Sequence, residues 1–104
     1  QLDMADYTKK SFGMFGGKEK TVKLLVDNRL AGVIIDRFGK DIMIIPADEN
    51  HFTVNVDVHV SKQFLGWVFS LGEQVKILSP EDVVEEMRGE AKRLVEQYDS
   101  RVKI

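Results

Sequence analysis

The sequence predicts an α+β sandwich, with a four-stranded antiparallel sheet, two helices on one face and a further helix at the C-terminal end. Three observations carry the prediction. Phe52–Val60 alternates apolar and polar residues at all nine positions, the period of a strand with one buried and one wet face. Shorter patterns on either side give the order β-α-β-β-α-β. Ser79-Pro80-Glu81-Asp82 then opens a last helix, with Ser as cap, Pro in the first turn and two acids at the positive end of the dipole.

Leu2, Met4, Tyr7, Phe12, Met14 and Phe15 are apolar without a clean period, and Gly13, Gly16, Gly17 and Lys18-Glu19-Lys20 break the chain after them. Residues 1–20 are therefore expected to be a lead-in, and 21–104 the domain itself. Thr21–Asp27 alternates, with Val22, Leu24 and Val26 on one side, and reads as the first strand. Leu30, Val33, Ile34 and Phe38 follow at helical spacing, with Asp27 or Asn28 as N-cap and Gly39 as the stop. Asp41–Ile45 is a short apolar strand closed by Pro46, and Asp48-Glu49-Asn50 is a polar turn into the alternating strand. Ser61 caps a helix bearing Phe64, Leu65, Val68 and Leu71, which Gly72 ends. Gln74–Leu78 is the fourth strand. In the last helix Val83, Val84, Met87, Ala91, Leu94, Val95 and Tyr98 form one apolar stripe.

Two βαβ-type crossovers that share a hairpin give a ferredoxin-like sandwich with sheet order 4-1-3-2. In it Val54, Val56 and Val58 face the helices. Lys23, Leu25, Asp27, Thr53, Asn55, Asp57 and His59 occupy the open face. Ile42–Ile45 is apolar on both faces although it lies at a sheet edge, where Pro46 is tolerated. Such an edge needs a cover. Either the N-terminal segment or the last helix supplies it, or the edge is a dimer or interdomain contact. Ile42 and Ile44, with Trp67, are the candidate interface residues.

The chain has 104 residues, enough for one domain. At 43% hydrophobic and 31% charged residues it reads as soluble and globular. Cysteine is absent, which excludes disulfides, thiolate metal sites and a cysteine nucleophile, and fits a reducing, cytoplasmic compartment. The net charge is −2. Residues 1–23 carry five Lys against three acids, a weak basic segment for nucleic-acid binding. No apolar run approaches the roughly 20 residues that span a bilayer.

Catalytic chemistry finds little footing. His51 and His59 share a face but stand eight residues apart, roughly 26 Å along a strand, too far to hold one metal ion. His59 and Asp57 alone leave most of a coordination sphere unfilled. The serines lack an evident base, and the carboxylates of the last helix sit beside Arg88, Lys92 and Arg93 as ordinary helix pairs. Gly16-Gly17-Lys18 lacks the spacing of a phosphate loop. Base stacking on the open face would need aromatics, and Thr53, Asn55, Asp57 and His59 supply none. Acylphosphatase-like chemistry needs an Arg in a glycine-containing loop, which Asp27-Asn28-Arg29 does not match. No cofactor is expected. The polar candidates for ligand or partner binding are Lys23, Asn55, Asp57 and His59 on the strands, with Arg37 and Lys40 after the first helix as added positive charge. Trp67 is either a boundary anchor or a ligand platform, and Gly66 beside it would admit a close neighbour.

From the Trp67 helix onward, FLGWVFSLGEQVKILSPEDVVEEM resembles the C-terminal extension, or WCX domain, of bacterial WYL-domain transcriptional regulators. The shared pattern is a helix with a Trp-containing, Gly-terminated turn, a short strand, and a Pro-led final helix. Upstream, SFGMFGGKEKTVKLLVDNRLAGVIIDRFG resembles the link from the WYL domain into that extension, with Phe12-Gly13-Met14-Phe15-Gly16 its most specific part. The winged helix-turn-helix and the Trp-Tyr-Leu signature are absent, and Trp67-Val68-Phe69 is not that signature. The chain accordingly reads as part of a longer regulator. The resemblance implies effector sensing, in several members of nucleotide or nucleic-acid-type ligands, and homodimerisation through the full-length regulator with its upstream WYL and helix-turn-helix domains. It implies no direct promoter binding by this segment, no membrane and no enzyme activity. The alternative is a free-standing small-molecule-binding domain of the amino-acid-sensing type, which has the same element order.

Overall fold

In the computed structural model, which describes residues 18–99, the chain runs through nine elements. They are β1 (Lys18–Asp27), a 3-10 turn (Asn28–Leu30), α1 (Ala31–Phe38), β2 (Ile44–Pro46), β3 (His51–Val60), α2 (Lys62–Ser70), a second 3-10 turn (Gly72–Gln74), β4 (Val75–Ser79) and α3 (Glu81–Gln97). The architecture is α+β. The sheet order is β2-β3-β1-β4, which is the expected 4-1-3-2 read from the other edge, and every neighbouring pair is antiparallel.

β1 and β3 pair in one unbroken register from Lys18↔Val60 to Asp27↔His51. That register sets Val22, Leu24 and Val26 opposite Val56, Val54 and Phe52, and all six are buried. Ile34 and Phe38 from α1, and Phe64, Leu65 and Val68 from α2, close over this face. Val75 and Ile77 of β4 and Val83 of α3 complete the core. Among the described residues no polar or charged side chain is buried, so apolar burial, at about 25 cal/mol per Å², holds the layers together.

The element ends follow local chemistry. The Asp27 carboxylate accepts from the Arg29 N–H at 2.9 Å and starts the first 3-10 turn. Gly39, at φ 91°, ends α1, and Gly72, at φ 67°, ends the α2 turn. Both take the left-handed backbone that favours glycine. Ser61 Oγ accepts from the Phe64 N–H at 3.3 Å, as its capping position predicts.

Four expectations need correction. β1 starts at Lys18, not Thr21, because β3 offers ladder partners out to Val60. The segment Lys18-Glu19-Lys20 is therefore strand and not a break; the rest of the expected lead-in lies outside the described residues. β2 is only Ile44–Pro46 and includes Pro46, while Ile42 sits before it and packs against the core. Ser79 does not cap α3: it stays in the ladder opposite Lys23, and Pro80 takes the N-cap position in extended conformation. The Pro80 carbonyl accepts from the N–H groups of Val83 and Val84, and Lys20 ion-pairs with Asp82 to tie the start of α3 to β1. Finally, a methyl group at Gly66 would meet no described atom within 4 Å, so Gly66 is not there for a close approach.

Two predictions follow from burial. Val56→Asp places an unpaired charge in the core and should cost at least about 3 kcal/mol, enough to abolish a cooperative thermal transition, whereas Asn55→Ala should stay within about 0.5 kcal/mol. Gly66→Ala, in mid-helix and facing open space, should raise stability by about 0.5–1 kcal/mol in urea denaturation.

Candidate functional site

The face of the sheet away from α1 and α2 is a row of cross-strand pairs between β1 and β3. In order they are Glu19–His59, Thr21–Asp57, Lys23–Asn55, Leu25–Thr53 and Asp27–His51. Strand alternation puts all ten side chains on this one surface. The pairs differ in how far they satisfy themselves. Thr21 Oγ1 donates to Asp57 Oδ1 at 2.6 Å. His59 Nε2 lies 4.0 Å from Glu19 Oε1. In contrast, the side chains of Lys23 and Asn55 are exposed and bond to no other described residue. The centre of the row is thus a free ammonium beside a free amide, with committed carboxylates at Asp57 and Asp27 on either side.

The far end of the row is more tightly held. Arg29 clamps Asp27 in a fork, Nε to Oδ1 at 3.1 Å and Nη2 to Oδ2 at 2.9 Å. The side-chain bonds from Arg29, then its backbone N–H, hold the Asp27 carboxyl down at about 2. Next to it His51 Nδ1 sits 2.9 Å and 3.1 Å from the two Asp48 oxygens. The Asn50 N–H, then His51, lower the Asp48 carboxyl below its ordinary value. The Asn28 side chain donates to the Glu49 carbonyl at 3.0 Å and fastens this turn to the sheet.

Of the sequence candidates, Lys23, Asn55, Asp57 and His59 come together on this face. Arg37 and Lys40 do not join them. Arg37 belongs to the helix layer, its guanidinium carbon 5.4 Å from the centre of the Trp67 ring. Lys40 is exposed in the turn that leads to β2. Trp67 is a half-buried anchor between the helices, edge-on to Phe38 at 5.5 Å and near-parallel to Phe64 at 6.4 Å. Ile44 and Ile45 lie on the β2 edge, 36% and 47% exposed, and Met43 before them is 73% exposed. The last helix packs beside β4, at the opposite edge of the sheet, and so does not cover β2. Sequence reasoning missed Glu19 and Thr21 as members of the polar row. Their shared parity with Lys23 was the available signal, and the charged run around Glu19 masked it.

A sheet face holds its polar groups in more precise positions than a loop does. Residues 18–95 match the family model of the WCX domain. The chain belongs to the WCX family, the C-terminal extension found in WYL-domain transcriptional regulators. No curated protein matches it. Among the described residues no helix is long and apolar enough to cross a membrane.

The Asp27–Arg29 fork has a pH signature. The folded carboxyl titrates at about 2, below the roughly 3.9 of a free aspartate. Its stabilisation is complete above about pH 4 and is lost as the pH falls towards 2. Asp27→Asn should therefore flatten the acid limb of a stability-versus-pH curve over that window and leave its shape at neutral pH unchanged. Part of the acid dependence should persist, because Asp48 and Asp82 are also held below their ordinary values.

Proposed function

We propose that this domain is the regulatory and oligomerisation extension of a WYL-type transcriptional regulator, and that it works by binding and not by catalysis. The observation that carries the reading is the open sheet face, where Lys23 and Asn55 stand unpaired at the centre of an ordered polar row. A free cation beside a free amide offers donors to an anionic effector or a partner carboxylate. The element order and antiparallel sheet support a ferredoxin-like description of the fold. The part of the expected lead-in that precedes β1, residues 1–17, is read as the link from a preceding WYL domain. Effector binding would bias a two-state arrangement of the full cytoplasmic regulator, and dimerisation would use the same extension. The apolar β2 edge, Met43 to Ile45, is the second surface for self-association, because these side chains stay exposed at an edge strand that no other described strand flanks on its outer side.

The test belongs in the intact regulator. Lys23→Ala with Asn55→Ala should weaken the effector response by roughly tenfold, the loss of one charge-assisted contact and its neighbour, while the melting temperature stays within a few degrees. Unchanged response and unchanged self-association in a folded variant would remove this face as the site. The isolated 104-residue chain should show no sequence-selective binding to the regulator's operator at moderate salt, since Glu19, Asp27 and Asp57 interleave with its cations and the net charge is −2.

A further inference from the structure

The open sheet face extends past the β1–β3 row onto β4. Val75 and Ile77 are buried, so the exposed Lys76 between them points to the open side. Lys76 stands opposite Leu25, and Ser79 stands opposite Lys23. Lys23 and Lys76 are therefore diagonal neighbours across β1 and β4. Such neighbours lie about 7–8 Å apart, within reach of two four-carbon stems. Both lysines are exposed, and neither bonds through its side chain to another described residue.

The acids nearby leave one approach open. Asp27, diagonal to Lys76 on its other side, is taken up in the fork with Arg29, whose charge Glu73 also stabilises. Asp57, diagonal to Lys23, accepts from Thr21 and holds an anion off that side of Lys23. The side toward Lys76 is different: Leu25 and Ser79, not carboxylates, lie between the two cations. Donors from three strands surround that spot, namely the two ammonium groups, the Asn55 amide beside Lys23 and the Ser79 hydroxyl. Next to them Ile45, Thr53 and Leu25 form one cross-strand row that ends at Lys76. Leu25 and Thr53 are half-buried and Ile45 is 47% exposed, so this row is a shelf of low polarity.

We propose that Lys23 and Lys76 together hold the doubly charged phosphoryl group of a small phosphomonoester, whose organic body lies on the Ile45–Thr53–Leu25 shelf. The inference rests on the reading of the open face as the binding surface, and adds a second cation and the charge of the ligand. A carboxylate brings one charge and two oxygens, and leaves one lysine without a counter-charge. A sulfate ester brings three oxygens but again one charge. A phosphomonoester carries about 1.5 to 2 negative charges at neutral pH and three strong acceptor oxygens, which matches two ammonium groups flanked by an amide and a hydroxyl.

The experiment titrates the isotopically labelled 104-residue chain with phenyl phosphate at about pH 7.5, where the ester is largely a dianion, and follows backbone amide shifts. Phenyl sulfate is the singly charged probe of the same shape, and inorganic phosphate the probe without a body. The expected result is saturable shifts at residues 23–25, 53–55 and 76–79, with both other probes weaker by about tenfold, the loss of one charge-assisted contact or of the shelf. Lys76→Gln should bring phenyl phosphate down to the affinity of phenyl sulfate while the amide spectrum stays that of the folded chain. Lys62→Gln, the same charge change on α2, should leave binding as it was. Equal affinity for phenyl phosphate and phenyl sulfate, or an unaltered affinity in Lys76→Gln, would overturn the two-lysine site and leave the open face standing as a binding surface. An equal loss in Lys62→Gln would overturn it too, because net charge alone would then account for the binding. Shifts absent from the open face with every probe would overturn both this site and the reading beneath it.

Discussion

The ten-pair ladder between β1 and β3 is the constraint on which the rest of the molecule depends. Its register decides which side of each strand meets the helices. A slip by one residue would carry Val54, Val56 and Val58 into water and bring Asn55, Asp57 and His59 into the core. Each inward position along the central strands is already filled by Val, Leu or Phe over most of the ladder, so the penalty for a slip is spread across both strands. The same register lines up Lys23 with Asn55 and Thr21 with Asp57. Core and polar row are therefore two faces of one pairing, and neither can shift without the other.

Much of this was legible in the sequence because it is local or periodic. The alternation of Phe52–Val60 fixes both the strand and its buried face, and Ser61, Gly39 and Gly72 act where their chemistry predicts. What was not legible depends on a distant partner. Lys18, Glu19 and Lys20 look like a solvated break, and they are strand because Val60, His59 and Val58 lie opposite them. Ser79 has the local features of a helix cap, yet its pairing with Lys23 keeps it in the sheet. Arg37 carries a charge that sequence reasoning added to the open face, while the Trp67 ring beneath it places it among the helices. The polar row was visible on β3 and only half visible on β1, for the same reason that the start of β1 was missed.

The distribution of polar groups separates stability from recognition. With no polar side chain buried among the described residues, the ion pairs sit at the surface, where each contributes little. They orient rather than hold: Lys20 with Asp82 sets where α3 begins, and Arg29 with Asp27 sets the turn after β1. The open face is thus free to vary in charge without loss of the core.

The β2 edge has a consequence for assembly. A strand laid along its free side finds only three residues, and Pro46 has no N–H to give. Main-chain pairing there would end almost as soon as it began. This edge is a poor template for copies stacking strand upon strand into fibrils, despite the apolar side chains of Met43, Ile44 and Ile45. Whatever meets this edge has to be chosen by the shapes of those side chains, so the association it permits is finite and selective, not open-ended.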